Sequence, residues 1–291
     1  MQAEVLALLA CRPGGLYVDG TVGGGGHAAA ILEASSPGGR LIGLDQDPEA
    51  IARAAKVLEP FGDRVQLVQE NFARLGEVLT ERNIAAVDGI VLDLGLSLDQ
   101  LESSDRGFSF RREEPLDMRM DPRGETTAAD LLARLGEEEL ADLFYRYGEE
   151  RYARRIARAI VRERPRHPLR TTADLVRLLF AATPGGRHGR IHPATRVFMA
   201  LRIAVNRELE RLEAFLDRVP GLLRPGGRVC ILAFHSLEDR IVKQRFRTLA
   251  GRREAPGPLE ILTRRPLRPQ PEEIAANPLA RSARLRAAAR V

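Results

Sequence analysis

The sequence predicts an α/β protein: a parallel sheet covered by helices on both faces and interrupted by a helical insertion. Two observations carry this. Over the first hundred residues, short apolar runs alternate with helix patterns, which is the rhythm of a buried parallel sheet. From about Asp105 to Arg190 the strand patterns stop and only helix patterns remain.

The elements follow in order. AEVLALLAC reads as the end of a helix leading into the first strand. It is short, carries Glu4 and lacks a basic leader, so it reads as neither a signal peptide nor a membrane span. GLYVD is a strand ending in Asp19, followed by a glycine run and the helix HAAAILEA. RLIGLD is a second strand ending in Asp45, and Pro48 opens the helix PEAIARAAKVL from a favoured first position. VQLVQ is a third strand, a helix follows near LGEVLTERN, and GIVLDLG is a fourth strand containing Asp93. Within the insertion, Thr127 with Asp130 and Thr171 with Asp174 form capping boxes ahead of LLARL and LVRLLF. The α/β pattern returns with one long helix, ATRVFMALRIAVNRELERLEAFL, then the strand GGRVCILAF. Ser236 and Asp239 are expected to cap the helix LEDRIVKQRF, with two late strands in LEILT and ARLRAAA. The Pro- and Arg-rich stretch from Gly251 to Pro271 reads as a surface loop. The expected organisation is a core of residues 1–104 and 191–291 with an inserted helical domain at 105–190.

Composition narrows the class. At 291 residues the chain is long enough for a full core, and 44% hydrophobic with 29% charged residues is globular usage. A formal charge of +5 favours an acidic partner such as nucleic acid. Lys56 and Lys243 are the only lysines, so the basic side chains are nearly all forked guanidinium donors suited to phosphate and guanine edges. Genomic base composition or heat adaptation would give the same bias. Cys11 and Cys230 make neither a disulfide framework nor a zinc pattern, which fits a reducing cytoplasm.

A strand, a glycine turn and a helix make a nucleotide-type site at the carboxyl edge of a sheet. The turn reads Asp19-Gly20-Thr21-Val22-Gly23-Gly24-Gly25-Gly26-His27, and Asp45 is placed to accept from ribose hydroxyls. NAD and S-adenosylmethionine both fit this far. Electrostatics separate them. NAD would set a pyrophosphate beside Asp19, whereas the ammonium and sulfonium of S-adenosylmethionine are attracted to a mouth lined by Asp19, Asp45 and Asp93.

These segments match a known family. YVDGTVGGGGHAAAIL, GLDQDPEA, ENFARL, DGIVLDLGLS, RGFSF, PLDMRMDP, YGEERYARRIARAI, HPATRVFMALRIAVNRELE, FHSLEDRIVK and NPLARSARLR run almost end to end in the family's order. The chain resembles the bacterial 16S rRNA cytosine-N(4) methyltransferases of the MraW type. The resemblance implies a class I (Rossmann-like) S-adenosylmethionine methyltransferase sheet with a helical domain inserted after the fourth strand. It implies a cytidine in the decoding region of small-subunit rRNA as acceptor. By motif it places Gly25, Gly26 and His27 at the cofactor, Asp45 at the ribose, Phe72 near the adenine, and Asp93 and Gln100 near the methionine end. The family's lead-in, with a His and a Pro-Val-Leu run, is missing before Glu4, which reads as a trimmed or mis-started N-terminus. Paired serines become Ser97-Leu98, and the usual Phe-Gln-Ala-Leu becomes Phe198-Met199-Ala200-Leu201.

Asp93 is the candidate catalytic residue, with cofactor binding alone an equal reading. Amine-methylating enzymes often carry an aromatic after a Pro-Pro turn here, but this chain has Leu94-Gly95-Leu96, so Phe108, Phe110 or His235 is the candidate base platform. From Arg151 to Arg202 thirteen arginines face only Glu163 and Asp174, marking Arg154, Arg155 and Arg196 as candidate phosphate contacts, with Arg281, Arg284 and Arg286 read the same way. A solvated helix face is the plainer reading of that stretch. His192 and His235 are expected to orient loops or touch RNA. His188 and His192 have metal-ligand spacing, but Gly189 and Pro193 interrupt the helix it needs, and no metal is expected. The expected partner is 16S rRNA or the small subunit, without a membrane, for a monomer or homodimer. Methylation of a protein or small molecule, and a non-catalytic RNA binder that senses the cofactor, are the competing readings.

Overall fold

The computed structural model describes residues 1–102, 105–183 and 192–291. They form two compact units, 1–95 with 209–291 and 96–208. The helical unit is thus wider at both ends than the expected 105–190.

In the first unit, α1 (Gln2–Leu9), β1 (Leu16–Asp19), α2 (Gly26–Ala34), β2 (Arg40–Asp45), α3 (Pro48–Leu58), β3 (Val65–Gln69), α4 (Leu75–Glu81) and β4 (Val87–Asp93) follow the predicted alternation. The helical unit holds α5 (Leu98–Glu102), α6 (Ala128–Arg134), α7 (Glu137–Gly148), α8 (Ala153–Glu163), α9 (Thr172–Ala182) and α10 (Ala194–Asn206). The first unit resumes through α11 (Glu208–Leu222), β5 (Leu223–Ala233), α12 (Ser236–Ala250), the short pair β6 (Gly251–Arg252) and β7 (Ala255–Pro256), β8 (Leu259–Ile261), α13 (Pro271–Ala276) and β9 (Arg284–Arg290). The small hairpin β6–β7 lies in the stretch expected as a loop after Gly251, while β8 and β9 fall on the two late strands expected in LEILT and ARLRAAA.

The sheet order is β3-β2-β1-β4-β5-β9-β8. β1 to β5 are parallel, while β9 runs antiparallel to β5 and β8 antiparallel to β9. Both sheet faces are covered because alternate side chains point to opposite faces. Val18, Ile90, Leu92 and Ile231 join one apolar cluster with Phe215 and Phe246, while Tyr17, Val91, Cys230 and Leu232 join another with Ile31 and Leu58. The chain winds outward through β1, β2 and β3 and then returns to lay β4 beside β1. That reversal opens a crevice at the carboxyl ends of β1 and β4, where such sheets bind ligands.

The helical unit has its own core around Phe144, Ile156, Leu175 and Leu201. Both predicted capping boxes are present: Thr127 Oγ1 accepts from Asp130 N at 3.1 Å, and Thr171 Oγ1 accepts from Asp174 N at 3.2 Å. The long helix expected over 194–216 is instead two helices, broken at Arg207 in the left-handed region (φ 49°). Asn206 anchors the break. Its amide donates to Met118 O at 2.7 Å and accepts from Met120 N at 2.8 Å. Among the described residues no helix is long and apolar enough to cross a membrane.

Candidate active site

The site is built where β1, β2 and β4 end. Gly20 N donates to Val91 O at 2.9 Å and Val22 N to Leu44 O at 2.8 Å, so the glycine turn is pinned between the two neighbouring strands. Gly25, at φ +86°, closes the turn and starts α2, a position only glycine takes without strain. No side chain caps that helix, so its first amides are open to a ligand.

Three carboxylates converge on this turn. Asp19 Oδ1 accepts from Thr21 N at 3.2 Å, and Thr21 Oγ1 accepts from Asp93 N at 2.6 Å, stitching the tips of β1 and β4 together. Asp45 accepts from Gly23 N and from Asp47 N, each at 3.0 Å. Each oxygen of Asp45 thereby keeps one lone pair for a ribose hydroxyl. His27 Nε2 lies 3.6 Å from Asp93 Oδ2. Asp93 Oδ1 is enclosed and has no hydrogen-bond partner among the described residues.

The charges show what kind of ligand the site suits. Burial pushes the Asp19 carboxyl up to about 7, against a partial opposing pull from His27 and the Thr21 amide. Burial likewise raises Asp45 to about 6, although two backbone amides favour its charged form. Burial pulls His27 down, but the adjacent Asp93 carboxylate and the charge of Asp19 outweigh it, so its pKa lies above the ordinary imidazole value. A pocket of under-compensated carboxylates beside open helix amides fits a ligand carrying positive charge next to a carboxylate. The amino-acid end of S-adenosylmethionine has that pattern. A pyrophosphate does not.

The structure therefore brings Asp19, Gly23, Gly25, Gly26, His27, Asp45 and Asp93 together in one unit. Phe72 follows β3, but its ring is buried and packs edge-on against Phe215 at 5.7 Å. Gln100 belongs to the helical unit, where its carbonyl accepts from Ser97 N at 3.1 Å. Phe108 is 6% exposed within the helical core and so is no platform for a base, contrary to its reading from sequence. Phe110 is also engaged: His192 stacks on its ring at 4.4 Å, and burial lowers the pKa of that imidazole. Arg154 and Arg155 are exposed on α8. Arg196 is half-buried and donates to Glu149 O at 3.2 Å, tying down the end of α7. His188 lies outside the described residues.

The FHSLEDR segment needs a correction. The acid that caps α12 is Glu238, which accepts from Phe234 N at 2.8 Å and lies 3.1 Å from His235 Nε2. Asp239 instead holds Arg286 at 2.7 Å and Arg284 at 2.9 Å. Both arginines are thus paired with Asp239, while Arg281 of that group is exposed. Sequence reasoning also missed Thr21, and the contact of Arg211 Nη1 with Gln46 Oε1 at 2.5 Å beside Asp45.

The MraW methylase family pattern matches residues 1–291. The chain is 53% identical over 304 residues to a ribosomal RNA small subunit methyltransferase H from Syntrophotalea carbinolica, covering 100% of this chain and 96% of that one. It is 51% identical over 304 residues to the protein of that name from Desulfosudis oleivorans (100% and 97% covered). It is 52% identical over 300 residues to the one from Geobacter sulfurreducens (99% and 96%). A solved SAM-dependent O-methyltransferase from Thermotoga maritima is similar at 12% identity and TM-score 0.44, over 100% of this chain and 64% of that one.

Proposed function

The chain belongs to the MraW methylase family, and from that premise we propose that it methylates the exocyclic N(4) amine of a cytidine in the decoding region of small-subunit (16S) rRNA, in the cytoplasm. The observation that carries the reading is the acid-lined switch point, where Asp19, Asp45 and Asp93 gather around an uncapped helix start. When bound there, S-adenosylmethionine supplies a methyl group activated by a sulfonium.

The protein's residues do the rest. Asp19 and the Thr21 hydroxyl set the positions of the turn and of Asp93. Asp45 holds the ribose end, and Phe72 lies at the end of β3 on the adenine side. The cytosine amine is a poor nucleophile, because its lone pair is delocalised into the ring. Positive charge grows on that nitrogen as the new bond forms, so a carboxylate beside it stabilises the transition state and takes the departing proton. Asp93 fills that role with its part-exposed carboxylate, and His27, whose Nε2 lies 3.6 Å from Oδ2, orients it. Holding the reactants in line contributes about 7–11 kcal/mol more. Arg154 and Arg155 supply phosphate contacts from the helical unit.

The test is transfer of labelled methyl from S-adenosylmethionine to unmodified small ribosomal subunits, with mass spectrometry of the nucleosides. Label in N(4)-methylcytidine is the expected result. Cofactor binding without any label in RNA would refute the assignment.

A further inference from the structure

The reaction demands a surface that holds the acceptor base, and the residues first suspected of forming it are engaged elsewhere. Phe108 is buried in the helical core, Phe110 is stacked on His192, and His235 faces Glu238. The sheet itself offers another aromatic. Asp93 pairs with Leu232 across β4 and β5, and Leu94 N donates to Leu232 O at 3.0 Å. Two residues beyond Leu232 stands Phe234, and two beyond Asp93 stands Gly95. A Cβ placed on Gly95 would meet the Phe234 ring at 3.4 Å, and Gly95 sits at φ +99°, where any other residue is strained. Gly95 thus sets no side chain against the ring, which otherwise packs on the apolar cluster around Ile31 and Leu58, one strand away from the reacting carboxylate. The ring is half-buried, and its backbone is fixed by the 2.8 Å hydrogen bond to Glu238 Oε2.

We propose that Phe234 is the platform on which the acceptor base stacks, next to Asp93, and that Gly95 is a glycine so that the ring face stays open. The inference rests on the RNA reading above. It accounts for an amine-methylating site with no aromatic in its Leu94-Gly95-Leu96 turn: the ring comes from the neighbouring strand instead.

The test compares F234L, which keeps apolar bulk, with F234W, which keeps a π face. For each we would measure single-turnover methyl transfer to unmodified small subunits, S-adenosylmethionine binding and thermal melting. A stacked base is lost with a fall in transfer of about 5- to 150-fold in F234L, while cofactor affinity stays within about twofold. F234W should restore transfer to within about threefold of wild type. The chain contains no other tryptophan, so the emission of F234W reports on this ring alone and should be quenched when subunits and S-adenosylhomocysteine are added. Transfer by F234L at the wild-type rate, equal losses in both variants, or unquenched emission in an active F234W would each overturn the platform. A wild-type chain that binds the cofactor but labels no RNA would overturn the rRNA reading, and this inference with it.

Discussion

The sheet unit buries carboxylates in two contrasting ways. At the switch point the charge of His27 acts on Asp19 and Asp93 and that of Arg53 on Asp45, yet burial outweighs them and drives Asp19 and Asp45 up toward neutrality. On α12, Asp239 is held by Arg284 and Arg286. Burial alone would raise its pKa, yet the two guanidiniums hold it below the ordinary value. Asp88, at the start of β4, belongs with Asp239, since it accepts from Arg12, from Arg224 at 2.8 Å and from Leu16 N at 2.8 Å. Where the cation is built into the chain, the acid is structural. Where the chain's own cations do not offset burial, the acid suits a ligand that brings positive charge, and the folded protein is less stable for it.

That difference predicts opposite responses to mutation. The largest effect is expected from D93N, which keeps the shape of the side chain and removes its basicity: methyl transfer should fall about 10²–10⁴-fold in single-turnover assays, with melting unchanged. Transfer within threefold of wild type would reduce Asp93 to a cofactor contact. Next comes D239A, which strands two guanidiniums, one of them buried. It should lower stability by about 3–5 kcal/mol in urea titrations. D19N should do the reverse. Removing an under-compensated buried charge should stabilise the ligand-free chain at pH 8 by about 2–4 kcal/mol while weakening cofactor binding severely. If D19N and D239A shift stability in the same direction, the contrast between the two regions is wrong.

Proton linkage sharpens the same point. Asp19 goes from 3.8 to about 7 on folding. An acid raised in this way favours the folded state fully below its unfolded pKa and loses that contribution as pH rises through the folded one. The ligand-free chain should therefore lose stability between about pH 4 and pH 7 from this group. A bound cation reverses the shift, so binding must release a proton. S-adenosylmethionine should bind about tenfold more weakly at pH 6 than at pH 8, and His27 acts in the same direction. Calorimetry in buffers of different ionisation enthalpy would show roughly one proton released at pH 6 and almost none at pH 8.5. Uptake of protons, or none at either pH, would contradict the linkage.

The legible parts of the molecule were those set by local pattern. Strand ends put Asp19, Asp45 and Asp93 where the sheet positions them, and both Thr–Asp capping boxes formed as read because each spans a single turn. What sequence hid depends on distant partners. The break after Asn206 needs Met118 and Met120, more than eighty residues away. Glu238 and Asp239 are adjacent acids, and only the fold decides that the first faces the helix start while the second meets β9. Phe108 was read as a platform because the core of an insertion without strands shows no alternation from which to judge burial.

The smallest expected effect tests the arginines on the same footing. Arg284 and Arg286 are spoken for by Asp239, whereas Arg154 and Arg155 are exposed on α8. If exposed guanidiniums meet phosphate and paired ones do not, the two groups must differ in salt dependence rather than in affinity at one condition. R154A and R155A should each lower the slope of log affinity for small-subunit RNA against log salt by about 0.7–0.9, with unfolding free energy unchanged. R286A should leave that slope alone and lower stability instead, because it uncovers Asp239. Equal slopes in all three variants would return the arginines of α8 to the status of a solvated helix face and move the phosphate contacts elsewhere on the chain.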